Sequence, residues 1–150
     1  MEKTLVLLKP DSIQRGLVGE ILSRLERRGL KIAALKMMHL SEDLASRHYE
    51  AHVDKPFFQS LIKFITDSPL VAAVIEGENA VELVRSMMGA TNPSDADPGT
   101  VRGDLAVSVG QNLIHGSDRI ESAEREINLF FTRGEIMSYI RDVDRWTTEF

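Results

Sequence analysis

Apolar residues fall in short runs separated by stretches of helical spacing. Residues 4–8 are continuously apolar apart from Thr4, and Lys9-Pro10-Asp11-Ser12 cuts them off, which predicts a buried strand and then a turn. Leu17, Ile21 and Leu25, with Val18 and Leu22 beside them, recur at helical spacing, and Gly29 fits the stop of that helix. Residues 31–40 hold a second strand. Ser41-Glu42-Asp43 caps and charges a helix to about Tyr49. Lys55-Pro56-Phe57-Phe58 opens another, with Phe57, Leu61, Phe64 and Ile65 on one face. Residues 70–75 are a third buried strand, closed by Glu76-Gly77. Ala80, Val84, Met87 and Met88 mark a helix to Gly89, with Arg85 inside it.

Beyond Gly89 the pattern breaks. Residues 90–100 form the one long irregular stretch, rich in turn formers, and such loops in compact domains often carry function. Residues 105–109 alternate. Residues 122–126 read as the start of a short helix and residues 127–131 as a fourth strand. Thr132 with Glu135 makes a capping-box pattern for a last helix to about Arg141. The tail, residues 142–150, holds the only tryptophan, Trp146, placed to pack on a neighbour. Strands and helices follow a βαββαβ order with extra helices inserted. That order predicts an α+β sandwich, one sheet covered by helices, in a single domain over residues 1–150.

Composition narrows the function. The chain has 150 residues, 43% hydrophobic and 27% charged, as in an ordinary soluble domain. A net charge of −5 argues against a nucleic-acid binder steered by bulk charge, so an anionic substrate needs a local basic cluster. With no cysteine there is no disulfide, thiolate metal site or cysteine nucleophile. The N-terminal apolar run is too short for a signal peptide or membrane span, and the expected location is cytoplasmic.

The candidate chemistry centres on residues 111–118, Gln-Asn-Leu-Ile-His-Gly-Ser-Asp. His115 is placed where regular structure gives way to a polar loop. Gly116 behind it leaves room for a large group to approach the ring. A histidine there is an acid, base, ligand or nucleophile, or an idle surface residue. Lys9, Arg85, Arg102, Thr91 and Asn112 also sit at element ends or beside Pro and Gly. The three cations either converge on a polyanion or are scattered surface charges. Arginine forks and a lysine ammonium both suit phosphate oxygens. Phe57 could offer an aromatic face to a base. The histidines at 39, 48 and 52 read as surface or structural residues. No P-loop, G-x-G-x-x-G, H-E-x-x-H or G-x-S-x-G string occurs. Ser60-Leu61-Ile62-Lys63 matches S-x-x-K by letters only, and Asp95-Ala96-Asp97-Pro98-Gly99 lacks the glutamate of a calcium loop.

Six strings in order carry a resemblance. They are Lys9-Pro10-Asp11, residues 14–20 (Gln-Arg-Gly-Leu-Val-Gly-Glu), Lys55-Pro56-Phe57-Phe58, residues 89–93 (Gly-Ala-Thr-Asn-Pro), residues 99–104 (Gly-Thr-Val-Arg-Gly-Asp) and residues 112–118. From Thr4 to about Phe131, and more loosely to the end, the chain resembles the nucleoside diphosphate kinases. The resemblance implies a ferredoxin-like α+β sandwich with a four-stranded antiparallel sheet covered by helices. It implies transfer of the γ-phosphate of a nucleoside triphosphate, mainly ATP, to a nucleoside diphosphate, with Mg2+ bridging the phosphates and no metal held by the protein itself. His115 would be the nucleophile, Glu126 would bond its other nitrogen, and Ser117 would hold Glu126. Lys9, Arg85, Arg102 and Thr91 would bind phosphates. Asn112 would contact the ribose, Phe57 and Val109 the two faces of the base, and Tyr49 would line the pocket. A homo-oligomer is implied, a hexamer ahead of a tetramer, with no membrane or specific nucleic-acid partner. Ser12 departs from the small residue usual after Lys-Pro-Asp, and Arg119 from the small residue usual after the last string. The alternative is a phosphohistidine protein that passes phosphate to protein partners; transfer to free diphosphates separates the two.

Overall fold

The computed structural model describes residues 1–149 and builds them around four antiparallel strands in the order β2-β3-β1-β4. The strands are β1 (Glu2–Leu8), β2 (Lys31–Met38), β3 (Leu70–Gly77) and β4 (Ile114–Gly116). The helices are α1 (Pro10–Gln14), α2 (Val18–Arg27), α3 (Glu42–His48), α4 (Phe58–Thr66), α5 (Ala80–Met88), α6 (Val101–Leu105) and α7 (Ile120–Phe130). This is the expected ferredoxin-like sandwich, with the central pair β1 and β3 in register from Glu2 opposite Gly77 to Leu8 opposite Val71.

The unbroken apolar run in β1 follows from burial on both faces. Leu5 and Leu7 join a core with Ala45 of α3, Phe58, Ile62 and Ile65 of α4, and Ile127 and Phe130 of α7. Val6 and Leu8 point the other way, into a core with Ile21 and Leu25 of α2 and Val84 and Met88 of α5. Each such side chain, fully buried, stabilises the fold by roughly 1.5–3 kcal/mol. A strand alternating apolar and polar residues could hold only one of these layers.

Four expectations are corrected. The fourth strand is Ile114–Gly116, while residues 127–130 belong to α7. Ala123, Glu126, Ile127 and Phe130 are the buried residues of that helix, so its helical spacing runs through the short apolar cluster that looked like a strand. Lys9-Pro10-Asp11 is no simple turn: Pro10 starts α1, where its fixed φ is preset and its missing N–H costs nothing. The alternating residues 105–109 make no strand, only a lone bridge between Ser108 and Gln111. The Thr132–Glu135 pattern closes a single turn at Arg133–Glu135 rather than a helix. The chain then runs along the open edge of β2, where the Met137 N–H donates to Ala33 O at 2.8 Å. In the tail, Arg145 stacks on an exposed Trp146; Phe150 lies outside the described residues. Among the described residues no helix is long and apolar enough to cross a membrane.

Candidate active site

β1 ends by delivering Lys9 to the start of α1, and β4 runs back beside it. Between them the chain is clamped at Leu113. The Lys9 N–H and the Ser12 hydroxyl both donate to Leu113 O, at 2.9 and 2.7 Å, while Asp11 Oδ2 accepts the Leu113 N–H at 3.0 Å. Leu113 needs the clamp: it is fully buried at φ +74°, a left-handed conformation that costs a non-glycine residue on the order of 1–2 kcal/mol. Ser12 is therefore a buried bonding partner in this clamp. Two residues further on, His115 pairs with Leu7 in the middle of β4. It lies within an edge strand, not at a loop boundary as expected, and faces α3 and α7.

The ring of His115 is held from behind. Its Nε2 lies 2.9 Å from Glu126 Oε1, which also accepts the Ser117 hydroxyl at 2.7 Å. Ser117 Oγ in turn accepts the Leu5 N–H at 3.3 Å. Burial pushes the Glu126 carboxyl up, but the bonds from His115 and Ser117 and the nearby imidazoles outweigh it and hold it at about 2. Glu126 is thus a buried anion at neutral pH.

His48 is the residue that sequence reasoning missed. Its ring meets His115 edge-on, centroids 4.7 Å apart, and also meets Tyr49 and Phe130. It is buried, neither ring nitrogen has a hydrogen-bond partner among the described residues, and burial followed by the neighbouring His115 charge pushes it down to about 3. The available signal was spacing: Ala45 and His48 share the buried face of α3. Tyr49 packs 4.6 Å from His48 with a buried, unpartnered hydroxyl, pushed up by burial and by Glu126.

The cations do converge. Lys9 Nζ donates to Asn112 Oδ1 at 2.9 Å, and Asn112 Nδ2 donates to Thr91 O at 2.9 Å. Burial pushes the Lys9 ammonium down to about 8, with the Arg102 charge adding to the fall. Arg102 is pushed down to about 10 by burial and by Arg85, and stays charged. Its guanidinium donates to the carbonyls of Asn112, Gly89 and Ile114, which leaves two of its five N–H groups unspent. Arg85, on α5, reaches Gly116 O at 3.4 Å. An acidic chain thereby gathers positive charge at one point.

Phe57 and Val109 stand apart from this network, 48% and 56% exposed. A file of rings, His48, Tyr49, His52 and Phe57, leads outward from His115 at centroid spacings of 4.6, 6.3 and 5.8 Å. Arg119 does not crowd the site; it is exposed, with Asp118 3.9 Å away. Gly116 leaves no room at the ring either. A Cβ there would sit 2.6 Å from Met88 Sδ and 3.2 Å from Val84 Cγ1, so its missing side chain makes space for α5. A cavity of about 590 Å³ lies at the other end of β1; of the cations that line it, Lys31 and Arg141 are paired with Glu76 and Asp144, and Arg28 stands beside them.

An imidazole with a carboxylate behind it and cations gathered on the strand that bears it, on this sandwich, has the makings of a phosphoryl-transfer enzyme. The sequence model described as nucleoside diphosphate kinase matches residues 2–136. A nucleoside diphosphate kinase of Thermomicrobium roseum is 54% identical over 97% of this chain and 98% of its own. One of Archaeoglobus fulgidus is 52% identical over 99% of each. The solved structure of a halophilic nucleoside diphosphate kinase from Halobacterium salinarum in complex with CDP superposes with a TM-score of 0.97, at 50% identity and 99% coverage of both chains. The chain belongs to the nucleoside diphosphate kinase family, and with it to the enzymes that move phosphoryl groups between nucleotides.

Proposed function

We propose that the chain carries the γ-phosphate from a nucleoside triphosphate to a nucleoside diphosphate as a phosphohistidine at His115, in two half-reactions at one pocket. The observation that carries this reading is the Nε2–Glu126 contact of 2.9 Å. With Nε2–H donated to a buried carboxylate, the lone pair stands on Nδ1. Nδ1 attacks the γ-phosphorus, the bond to the bridging oxygen breaks, and the diphosphate leaves. A second diphosphate then attacks the phosphohistidine by its terminal oxygen and regenerates the ring. Glu126 steadies the positive charge that develops on the imidazole, and Ser117 keeps Glu126 in place.

Lys9, Arg85 and Arg102 neutralise the moving phosphoryl charge, which is most of what such a transition state needs. Thr91 holds phosphate, Asn112 the ribose, and Tyr49 closes the pocket wall. Phe57 and Val109 take the base by contact rather than by reading its edges. Mg2+ is expected to arrive on the substrate phosphates, whose oxygens it prefers. ATP is the expected main donor, the cytoplasm the expected compartment, and a hexamer of three dimers the expected assembly. Incubation with a triphosphate labelled at its γ-phosphate, without acceptor, should leave one acid-labile, alkali-stable phosphate per chain on His115, discharged by any diphosphate. An unlabelled chain that still turns over would reject the phosphohistidine.

A further inference from the structure

The reaction leaves part of the site's donor set unused. His48, His115 and Glu126 each place a ligand atom within 4.8 Å of the others. His48 is 5% exposed, and neither of its nitrogens has a hydrogen-bond partner among the described residues. Packing explains the bulk of that ring but not its nitrogens, since a phenyl group would fill the same space between Tyr49 and Phe130. Buried polar atoms without partners are rare, and each calls for an explanation. Glu126 spends Oε1 on both His115 and Ser117, and no hydrogen bond among the described residues uses Oε2.

We propose that His48, His115 and Glu126 form a site for a borderline divalent transition-metal ion, with Zn2+ as the type, and that filling it silences the enzyme. The silencing part rests on the reading of His115 as nucleophile; the binding part does not. Two imidazoles and one carboxylate, with water in a fourth position, are a set that Zn2+ takes readily. Mg2+ prefers oxygen ligands in octahedral array and is not selected here. Zinc–nitrogen bonds of about 2.0–2.1 Å require the three groups to draw closer. His115, with 21% of its side chain exposed against 10% for Glu126, has the most room to turn, at the cost of its present bond to that carboxylate.

The proton balance closes either way. If the ion binds Nδ1, the nucleophilic lone pair is spent directly, Nε2 keeps its proton, and Glu126 gives up its bond to that proton to turn its carboxylate to the ion. If it binds Nε2, the displaced proton moves to Nδ1 and occupies that lone pair instead. Phosphorylation and metal occupancy therefore exclude each other.

The test uses the full chain without nucleotide. Titration with Zn2+ by calorimetry, and with Co2+ by visible absorption, should show one ion per chain and the intense bands of four-coordinate cobalt. His48→Phe keeps the packing and should weaken binding about tenfold or more, as should Glu126→Gln. Undiminished binding in both variants, or no binding at millimolar Zn2+, overturns the site. Zinc-loaded chain should then fail to take label from a γ-labelled Mg–triphosphate until a chelator is added. Full labelling with zinc bound overturns the silencing. A chain that takes no label even without zinc refutes the nucleophile, and with it the silencing, while the cobalt spectrum still decides the site.

Discussion

Asp11 and Leu113 are joined across 102 positions of sequence by one hydrogen bond of 3.0 Å, from the Leu113 N–H to Asp11 Oδ2. That bond sets where β4 begins, and so where His115 stands relative to Lys9. Asp11→Ala leaves the buried Leu113 N–H without a partner and should cost about 1–3 kcal/mol, seen as a lower urea midpoint with unchanged slope. Asp11→Asn keeps an acceptor and should recover most of the loss. Leu113→Gly relieves the left-handed strain of about 1–2 kcal/mol but removes a buried leucine worth about 2–5 kcal/mol, so it should destabilise on balance. A more stable glycine variant would show that the strain outweighs the packing.

His115→Asn keeps hydrogen-bonding capacity and removes the nucleophile. Its thermal unfolding and nucleotide binding should match the parent while phosphoenzyme and turnover vanish. Glu126→Gln only loosens the ring, and a loss of about 1–3 kcal/mol corresponds to phosphorylation slower by roughly 5- to 160-fold. Initial rates with both substrates varied should give parallel double-reciprocal lines. Intersecting lines would mean direct transfer between two bound nucleotides.

The pH behaviour follows from Lys9 and Glu126. Lys9 loses its proton near pH 8, so kcat/KM for the nucleotide should fall as pH rises through about 8. Bound phosphates raise the ammonium again, so kcat should hold to higher pH; Lys9→Arg should move the kcat/KM limb upward. Because the folded chain holds this proton less tightly than the unfolded chain, the stability cost of the buried charge fades between about 8 and 10.5. Glu126 runs the other way. Its stabilisation is complete above the ordinary value of 4.5 and is lost as pH falls toward about 2. Acid titration of Glu126→Gln should show a shallower loss of stability in that window.

Base choice should be loose. Phe57 offers a half-exposed face, and every base has a π face to lay on it. Purine and pyrimidine diphosphates, ribo and deoxy, should all accept phosphate. Phe57→Ala should raise their KM values together, by the roughly 1–3 kcal/mol of one stacked base. A variant that loses one base and spares the rest would reveal edge recognition.

Exposed apolar side chains include Leu35 and Met37 on the edge strand β2, Met137 and Ile140 in the segment after α7, and Trp146 in the tail. Closed symmetric assembly is the usual way to cover such surfaces. Light scattering should report six chains; a tetramer would leave only the dimer of the expectation standing, and a monomer none of it.

Much of this fold was legible because its signals were local. The apolar runs of β1 and β3 and the spacing of α2 and α5 needed no tertiary information. β4 was hidden because three residues, one a glycine and one a histidine, carry no strand pattern; only pairing with β1 makes them a strand. The error at residues 127–131 is the reverse, a strand-like cluster whose true period shows once Ala123 and Glu126 are counted. Within the site, Lys9, Arg85, Arg102 and Asn112 stood out by their places at element ends, and the roles of Ser117 and Glu126 came from the resemblance; in the structure Glu126 and Ser117 bond behind His115, while Lys9, Arg85 and Arg102 bond residues 112–116. The unbonded state of His48 could not be read from the chain, since what surrounds its nitrogens is supplied by α7 and β4 from far along the sequence.

Gly116 acts as a spacer made of absence. The helix that bears Arg85 rests against the strand that bears His115 at the point where that residue has no side chain. The distance between an anchoring guanidinium and the reactive ring is thereby metered by a methionine, Met88, that takes no part in any chemistry. An alanine at position 116 would leave every reactive group intact and still misplace them, so the defect would look catalytic in an assay while being mechanical in origin.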